Sequence, residues 1–249
     1  MKKHALGLLA AGVLLASNVF ANDVYRFDVG VTHQDFDGQK VTAVDGIYYF
    51  SDVAVNTLPR SEAAFYQHKS FVQAAYATSE SFGVDVDELS VQGRLFIPDT
   101  MFMIGAGLTR ADVDLPGVSA ETVWNASLGV APAQGLLFWT EFTEDVDYAD
   151  AINVNAKYVK PLADGTAYNL EGTVAKFDHG NQFTFGGDYF FDQNLSLGAV
   201  LSVYDFDGGS YNGYEIRAKN FFTNQFSLGL AYSNVDSEDG FSIEARFRF

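Results

Sequence analysis

The last ten residues of the chain alternate without interruption between apolar and polar side chains. The apolar positions are Phe241, Ile243, Ala245, Phe247 and Phe249, and the polar ones are Ser242, Glu244, Arg246 and Arg248. A period of two is that of a β-strand and not of a helix. The pattern therefore predicts that the chain ends on a strand with one fully apolar face.

The same pattern recurs along most of the chain. Alternating runs of about ten residues, each followed by a turn, are typical of a transmembrane β-barrel. Pro98-Asp99-Thr100 ends one such run, since proline cannot continue a hydrogen-bonded ladder. The runs predict about 14 strands, and barrels of about 12 or 16 strands are the alternatives. Because no linker divides the chain, the fold class predicted for residues 22–249 is all-β, a single antiparallel up-and-down barrel.

The final strand resembles the terminal strand of bacterial outer-membrane β-barrels, which ends on an aromatic residue that the barrel assembly machinery reads. The resemblance implies that Phe241, Ile243, Phe247 and Phe249 form an assembly signal. It also implies that the last strand pairs with the first, because a sheet in lipid can leave no edge unsatisfied.

Two shorter segments resemble the N-terminal part of the general bacterial porins of Gram-negative bacteria. They are Gly46–Phe50 and Ser61–Phe65. The resemblance implies a location in the cell outer membrane, with lipid and lipopolysaccharide around the barrel. It favours a channel without naming a solute.

The N-terminus has the features of a cleaved secretory signal. Lys2 and Lys3 precede an apolar run from Ala5 to Ala16, and Val19 and Ala21 occupy the small-residue positions before a cleavage site. A spanning helix needs about 20 apolar residues, more than this run offers. We therefore predict that residues 1–21 are removed. The chain has no cysteine, which excludes disulfides and thiolate metal sites.

Charge and the polar positions of the strands together predict a wet interior. The formal net charge of -17 excludes nucleic acid as a partner. Charged groups in a dry core would cost several kcal/mol each unless paired, so their spread over most strands favours a water-filled lumen. The predicted pore-lining residues are Arg26, Asp28, Glu88, Arg94, Glu121, Glu141, Lys157, Glu171, Asp188, Glu215, Arg217, Lys219, Glu244, Arg246 and Arg248.

Four of these residues form a basic cluster, namely Arg217, Lys219, Arg246 and Arg248. If Glu121, Glu141 and Glu171 lie across the lumen, the opposed charges create a transverse field that orients solutes and sets ion preference. The alternative is ion pairing that stiffens the wall. The sequence leaves both open.

Connections and tips leave several questions open. The longest connection, Ser51 to Lys69, is predicted on the periplasmic side, either as a plain connector or as a segment that narrows the pore. No long outer loop is available to fold inward, so both a monomer and a homotrimer remain. The tips are acidic, as at Asp205 and Asp207, which favours a solvated rim over Ca²⁺ or Mg²⁺ binding there.

Candidate chemistry is sparse. His33 lies two residues from Asp35 and His179 follows Asp178, but acids occur at every tip, so such neighbours are expected by chance. No phosphate loop, metal-ligand spacing or nucleophile elbow is present. The sequence thus predicts no enzyme and no cofactor.

The function that these observations favour is a porin, a passive diffusion channel for small hydrophilic solutes and ions. Alternatives from other classes are a transport barrel for one substrate, a structural or adhesive barrel with a closed lumen, and a hydrolase at the rim. Conductance of the purified protein would separate the porin, the transport barrel for one substrate and the closed structural barrel. Substitution of the rim histidines would test the hydrolase.

Overall fold

A computed structural model of the chain describes residues 23–37, 39–56, 59–81, 83–144, 151–177, 180–206 and 208–249. The predicted signal segment lies outside these ranges. In the described parts of the chain, no helix is long and apolar enough to cross a bilayer.

Fourteen strands follow one another in chain order. They are β1 (Val24–Phe36), β2 (Gln39–Ala54), β3 (Phe71–Ser81), β4 (Val84–Phe96), β5 (Phe102–Val113), β6 (Glu121–Ala133), β7 (Leu136–Thr143), β8 (Ala151–Pro161), β9 (Ala167–Phe177), β10 (Gly180–Phe190), β11 (Leu195–Phe206), β12 (Gly209–Phe221), β13 (Phe226–Val235) and β14 (Glu238–Arg248). The described residues between β2 and β3, 55–56 and 59–70, are called the connector below. They contain a 3₁₀ turn, Arg60–Glu62, and the short helix α1, Ala63–Tyr66.

The sheet is closed into a barrel. Each strand pairs antiparallel with its neighbours in sequence, and β1 pairs with β14 from Asp28 opposite Arg248 to Phe36 opposite Gly240. The predicted barrel of 14 strands and the pairing of the last strand with the first are confirmed. Closure leaves no strand with a free row of backbone donors and acceptors.

The barrel has two ends, and an even number of antiparallel strands brings the start of β1 and the end of β14 to the same one. We call this the near end and the opposite one the far end. The connector lies at the near end, because β2 runs back antiparallel to β1.

The two faces of the wall differ as the alternation predicts. Leu128, Leu201 and Leu230 on the outer face are 63%, 60% and 60% exposed. The expected assembly residues follow the same alternation, and Phe241 is 64% exposed. The Phe249 N–H donates to the carbonyl of Phe27 at 3.0 Å, and the two rings stack with centroids 5.3 Å apart.

Arg26 departs from the alternation and corrects one prediction. The pairing of β1 with β2 shifts between Tyr25 and Phe27, so that Tyr25 is buried inside while Arg26 and Phe27 both lie on the outer side. The guanidinium of Arg26 pairs with the exposed carboxylate of Asp52. A bulge puts two consecutive residues on one face. Arg26 therefore lies on the outer wall and not on the lumen as predicted.

A small apolar core lies between the connector and the wall at the near end. Tyr25, Tyr49, Val53, Val55 and Ala63 are all buried there, and the rings of Tyr25 and Tyr49 meet edge to face at 5.6 Å. Burial of apolar surface is the main favourable term in holding such a segment. The connector is thus packed into the barrel end, unlike a loop that projects into solvent.

Gly135, in the turn between β6 and β7, allows α1 to approach the wall. Its φ of +75° favours glycine, and a Cβ there would lie 2.4 Å from the Val159 carbonyl oxygen and 2.7 Å from the ring of Tyr66. The wall and the connector therefore fit closely at this point.

Candidate functional site

The connector extends across the near end of the barrel. The Arg60 N–H donates to the carbonyl of Gln193 at 3.0 Å, and Arg60 Nη2 donates to Asn224 Oδ1 at 2.6 Å. Gln193 Nε2 in turn donates to the carbonyl of Asn56 at 2.9 Å. Gln193 and Asn224 lie in the turns after β10 and β12, far round the ring from β2 and β3. These bonds hold the connector over the lumen.

Glu62 makes the contact with the opposite wall. It is only 7% exposed, and its carboxylate accepts hydrogen bonds from Asn169 Nδ2 on β9 at 2.9 Å and from Lys157 Nζ on β8. The shortest Lys157–Glu62 distance is 3.0 Å. β9 stands opposite β2 in the ring of strands. A buried carboxylate persists only when it is paired, so these two partners fix the connector across the full width of the lumen.

Arg248 joins the closing strand to the connector. Its Nε donates to Asp28 Oδ2 at 2.7 Å, and its Nη1 donates to the carbonyl of Arg60 at 2.6 Å. The guanidinium also lies over the rings of Tyr25 and Phe221, at 4.8 and 4.5 Å from their centroids. Charge pairing and cation–π contact together make this buried arginine a fixed part of the near end.

The other members of the predicted basic cluster are paired along the wall. Arg217 Nε and Nη2 bind both oxygens of Asp188, at 2.9 and 2.7 Å, and Nη2 also reaches Glu171 at 2.5 Å. Lys219 Nζ donates to Glu244 at 2.8 Å. A bidentate arginine–carboxylate pair is among the strongest side-chain contacts. These pairs fit the alternative in which the charges form ion pairs that stiffen the wall.

Arg246 connects three carboxylates at the seam between β14, β1 and β2. Its Nε donates to Asp28 at 2.7 Å, its Nη2 to Asp45 at 2.7 Å, and its Nη1 to Glu244 at 3.0 Å. The seam that closes the barrel is thus tied by side chains as well as by backbone hydrogen bonds.

The remaining predicted pore-lining residues do not join this cluster. The Arg94 guanidinium lies over the rings of Phe71 and Trp139, at 5.8 and 5.1 Å, on the same side of the wall as Glu141. Glu88 and Glu121 are exposed on β4 and β6, on the alternation that faces the lumen. Of the three glutamates expected to oppose the basic cluster, Glu171 lies directly beside Arg217 instead.

Two cavities stack along the lumen above the connector. The lower one has a volume of about 390 Å³ and reaches Ser61 and Glu62 of the connector. The upper one, of about 550 Å³, extends to Phe36, Tyr204 and Val235 near the far end. Both are lined by Lys157, Glu171, Glu215 and Arg217, which we call the charge ring. The charge ring thus lines both cavities, and the connector forms part of the lining of the lower one.

The histidine candidates for rim chemistry show no catalytic geometry in the described chain. His33 Nδ1 lies 2.9 Å from Thr42 Oγ1, an exposed contact between β1 and β2. His179 lies outside the described residues. Within the described ranges, no three His, Asp or Glu side chains are grouped to hold a metal ion.

Three important residues were not among the predicted pore-lining set. Asp45 alternates with apolar neighbours in β2, so the period of two could have placed it on the lumen. Asn169 likewise falls on the polar face of β9. Glu62 lies in a segment without periodicity, and no sequence signal shows that it reaches strands on the far side of the ring.

Comparisons with known proteins agree with this architecture. Omp33 of Acinetobacter baumannii has a similar structure, with a TM-score of 0.75 and 20% identity over 92% of this chain and 100% of that one. A KdgM porin, solved in complex with disordered oligogalacturonate, gives a TM-score of 0.50 and 9% identity over 89% of this chain and 99% of that one. Both likenesses concern the fold. No curated protein sequence matches the chain.

The family model described as "Putative general bacterial porin" matches residues 1–121 and 118–249. The two segments together span the whole sequence. With the closed barrel, the apolar outer face and the charged inner face, this match assigns the molecule to the outer membrane. The chain belongs to the general bacterial porin family and is an outer-membrane porin.

Proposed function

We propose that this porin is a diffusion channel for small hydrophilic solutes and ions, and that the connector controls its conductance. A single-chain outer-membrane barrel with an even number of strands keeps both chain ends in the periplasm, and the start of β1 and the end of β14 both lie at the near end, so the near end is the periplasmic end. The observation that carries the proposal is Glu62, bound to Lys157 and Asn169 across the width of the lumen. Solutes that enter from outside meet this segment last.

The lining of the channel is the inner face of the barrel. Charged groups there keep partial exposure, as in Lys157 at 20%, Arg217 at 30% and Glu215 at 36% of their side chains. This mixture of pairing and exposure supports a hydrated lumen over a packed core. The proposed lining residues are Asp28, Asp45, Glu88, Arg94, Glu121, Glu141, Lys157, Glu171, Asp188, Glu215, Arg217, Lys219, Glu244, Arg246 and Arg248.

The partners follow from the same assignment. Outer-membrane lipid contacts the apolar outer face, and we infer that the barrel assembly machinery reads Phe249 and the apolar positions before it. Divalent cations at the acidic outer tips and the choice between monomer and homotrimer remain hypotheses from the sequence. We assign the chain no catalytic role, since channels of this kind act by passage without turnover.

Single-channel conductance of the full chain in planar bilayers tests the role of the connector. We expect Glu62→Gln to raise the conductance, because it removes the charge that holds Lys157, and replacement of residues 59–68 by a glycine–serine segment to raise it further. Glu88→Gln is the matched control, since it makes the same chemical change on the lumen away from the connector.

Two results would count against the proposal. Equal, large conductance in all four proteins would mean that the connector only joins two strands. No conductance in any of them would select the second candidate, a structural barrel with a closed lumen, which the docked connector also favours. An unchanged shift in gel mobility on heating would show that each variant is folded.

A further inference from the structure

The lower cavity holds an excess of negative charge. Five carboxylates line it, and they belong to Glu62, Glu171, Asp188, Glu215 and Glu244. Three cationic side chains line it, from Lys157, Arg217 and Lys219. The formal charge of the lining is therefore two negative charges in a chamber of about 390 Å³. Low-dielectric walls around a chamber of this kind strengthen the field inside it.

All three cations of the lining are already engaged by carboxylates. Lys157 lies 3.0 Å from Glu62 and 3.7 Å from Glu171, and Lys219 lies 2.8 Å from Glu244. Arg217 holds Asp188 through two hydrogen bonds. An anionic solute would have to break such pairs to reach a positive charge, and it would leave carboxylates unpaired. The lining thus disfavours anions.

The carboxylates retain acceptor capacity. Glu215 lies 3.8 Å from Arg217 Nη1, too far for a hydrogen bond, and its side chain is 36% exposed. Glu244 accepts hydrogen bonds from Lys219 and from Arg246, and because an ionised carboxylate has about four lone-pair sites, it still has sites for a further donor. A solute with an ammonium group, which offers three donors, could bind here without breaking a pair.

The upper cavity has no net formal charge, because the two cations and two carboxylates of the charge ring balance. Besides the charge ring, the upper cavity is lined by hydroxyl and amide groups such as those of Gln34, Thr173, Thr184 and Ser202. Besides Lys157 and Arg217 of the charge ring, no cationic side chain lines the upper cavity. Of the two cavities, the lower one therefore has the net negative charge.

We propose that the lower cavity is a binding site for small solutes that carry ammonium groups, such as α,ω-diamines. The two net negative charges of the lining match the charge of a compact dication. The inference rests on the proposed channel function only for the route of entry. Binding itself needs no conduction.

Titration calorimetry of the detergent-solubilised full chain at low salt tests this site. The probes are 1,5-diaminopentane, glutarate and pentane-1,5-diol, which share a five-carbon chain and differ in charge. We expect saturable binding of the diamine and none of the dianion or the diol. Glu215→Gln should weaken diamine binding about fivefold, as loss of one partly exposed ion pair would. Glu80→Gln makes the same change at an exposed position on the outward alternation of β3 and should leave diamine binding unchanged.

The opposite results would overturn the proposal. Binding of glutarate as tight as that of the diamine would show that the paired cations are available to anions. Equal weakening by Glu215→Gln and Glu80→Gln would indicate general attraction to an acidic barrel. Glu244→Gln supplies a second test, because it removes another carboxylate of the lining, and unchanged diamine binding in both cavity variants would also exclude the site.

Conductance separates this inference from the proposed function. Saturable diamine binding by a barrel that carries no current with or without the connector would support the site and exclude the channel. A current that diamine and glutarate leave equally unaffected, together with no binding in calorimetry, would support the channel and exclude the site.

Discussion

Asp28 is the residue on which the closing seam depends most. It is 2% exposed and accepts hydrogen bonds from the Nε atoms of Arg246 and Arg248, each at 2.7 Å. Because Arg248 also binds the connector, a single carboxylate joins β1, β14 and the connector at the near end. A buried charge in such a position is costly to unpair, whatever its net contribution to stability.

We predict that Asp28→Asn destabilises the barrel by about 3 kcal/mol, since it leaves two arginines without their shared counter-charge. Urea unfolding of the protein in lipid vesicles, followed by tryptophan fluorescence, measures this. Asp112→Asn makes the same change at an exposed position on β5 and should shift the midpoint little. Equal shifts in the two variants would contradict the role given to Asp28.

His68 makes the connector sensitive to pH. Its ring stacks on Phe96 at 5.0 Å, its Nε2 is buried without a hydrogen-bond partner in the described chain, and burial lowers the pKa of the imidazole. The unfolded residue has a pKa of about 6.5. The stabilising contribution is therefore complete above about pH 6.5 and is lost as the pH falls through the lower folded value.

We predict that the free energy of unfolding falls more steeply between about pH 6.5 and 5 in the wild type than in His68→Asn. Asparagine suits the φ of 49° at this position and does not titrate. The readout is the slope with pH and not the stability at one pH. His33→Asn, at the exposed far end, is the control, and a slope that changes there and not at His68 would refute the prediction.

At the scale of elements, the connector is held by a small core and by side-chain contacts, whereas the strands are held by continuous backbone ladders. Gln67 fastens α1 to the end of β2, because its Nε2 donates to the carbonyls of Ala54 and Ala63 at 2.7 and 2.9 Å. The small core, Glu62 and the hydrogen bonds of Arg60 with the turns after β10 and β12 and with Arg248 supply the rest. An element without the continuous backbone pairing of a strand opens more readily than the strands around it.

Gln67→Ala should raise the rate of tryptic cleavage after Arg60 about tenfold, because losing these hydrogen bonds costs roughly 1.4 kcal/mol and cleavage follows the open population. Mass spectrometry of the fragments gives the rate. Gln182→Ala, which removes a wall contact to Thr184, should leave it unchanged. If trypsin cleaves Gln67→Ala no faster than the wild type, the other contacts, including those of Glu62 and the small core, are enough to keep the connector in place.

The closing strand gives a second prediction at this scale. Phe249→Ala keeps the backbone bonds to Phe27 but removes the ring that stacks there. If Phe249 acts as an assembly signal, the variant should reach the outer membrane of cells poorly and still refold in detergent. Phe191→Ala removes another exposed aromatic at the near end. If the two variants reach the outer membrane of cells in equal amounts, Phe249 is not an assembly signal.

At the scale of the whole molecule, an acidic chain encloses cations that are already paired. The formal net charge is -17, and the inner arginines 217, 246 and 248 each contact carboxylates. Mobile cations should therefore be attracted at both the outer rim and the lumen. The size of the effect depends on ionic strength, because salt screens exposed charges.

Reversal potentials across a KCl gradient should show cation preference, and the preference should weaken between about 0.1 and 1 M salt as the Debye length shortens. If the wild type conducts little, the variant with residues 59–68 replaced should carry a larger current and is then used for this measurement. An anion preference would show that the inner arginines dominate in spite of their pairs.

The sequence by itself determined the barrel, because a period of two is a local property that each strand carries. It predicted the closure of β14 on β1 and the alternation of the two faces, and it failed at Arg26, where a bulge in the pairing of two strands changes the face. The connector was decided only by the tertiary structure. Glu62 and Asn169 are 107 residues apart, and nothing local connects them. They meet because closing the ring brings β9 opposite β2, so a polar residue without periodicity finds its partners only after the wall has formed.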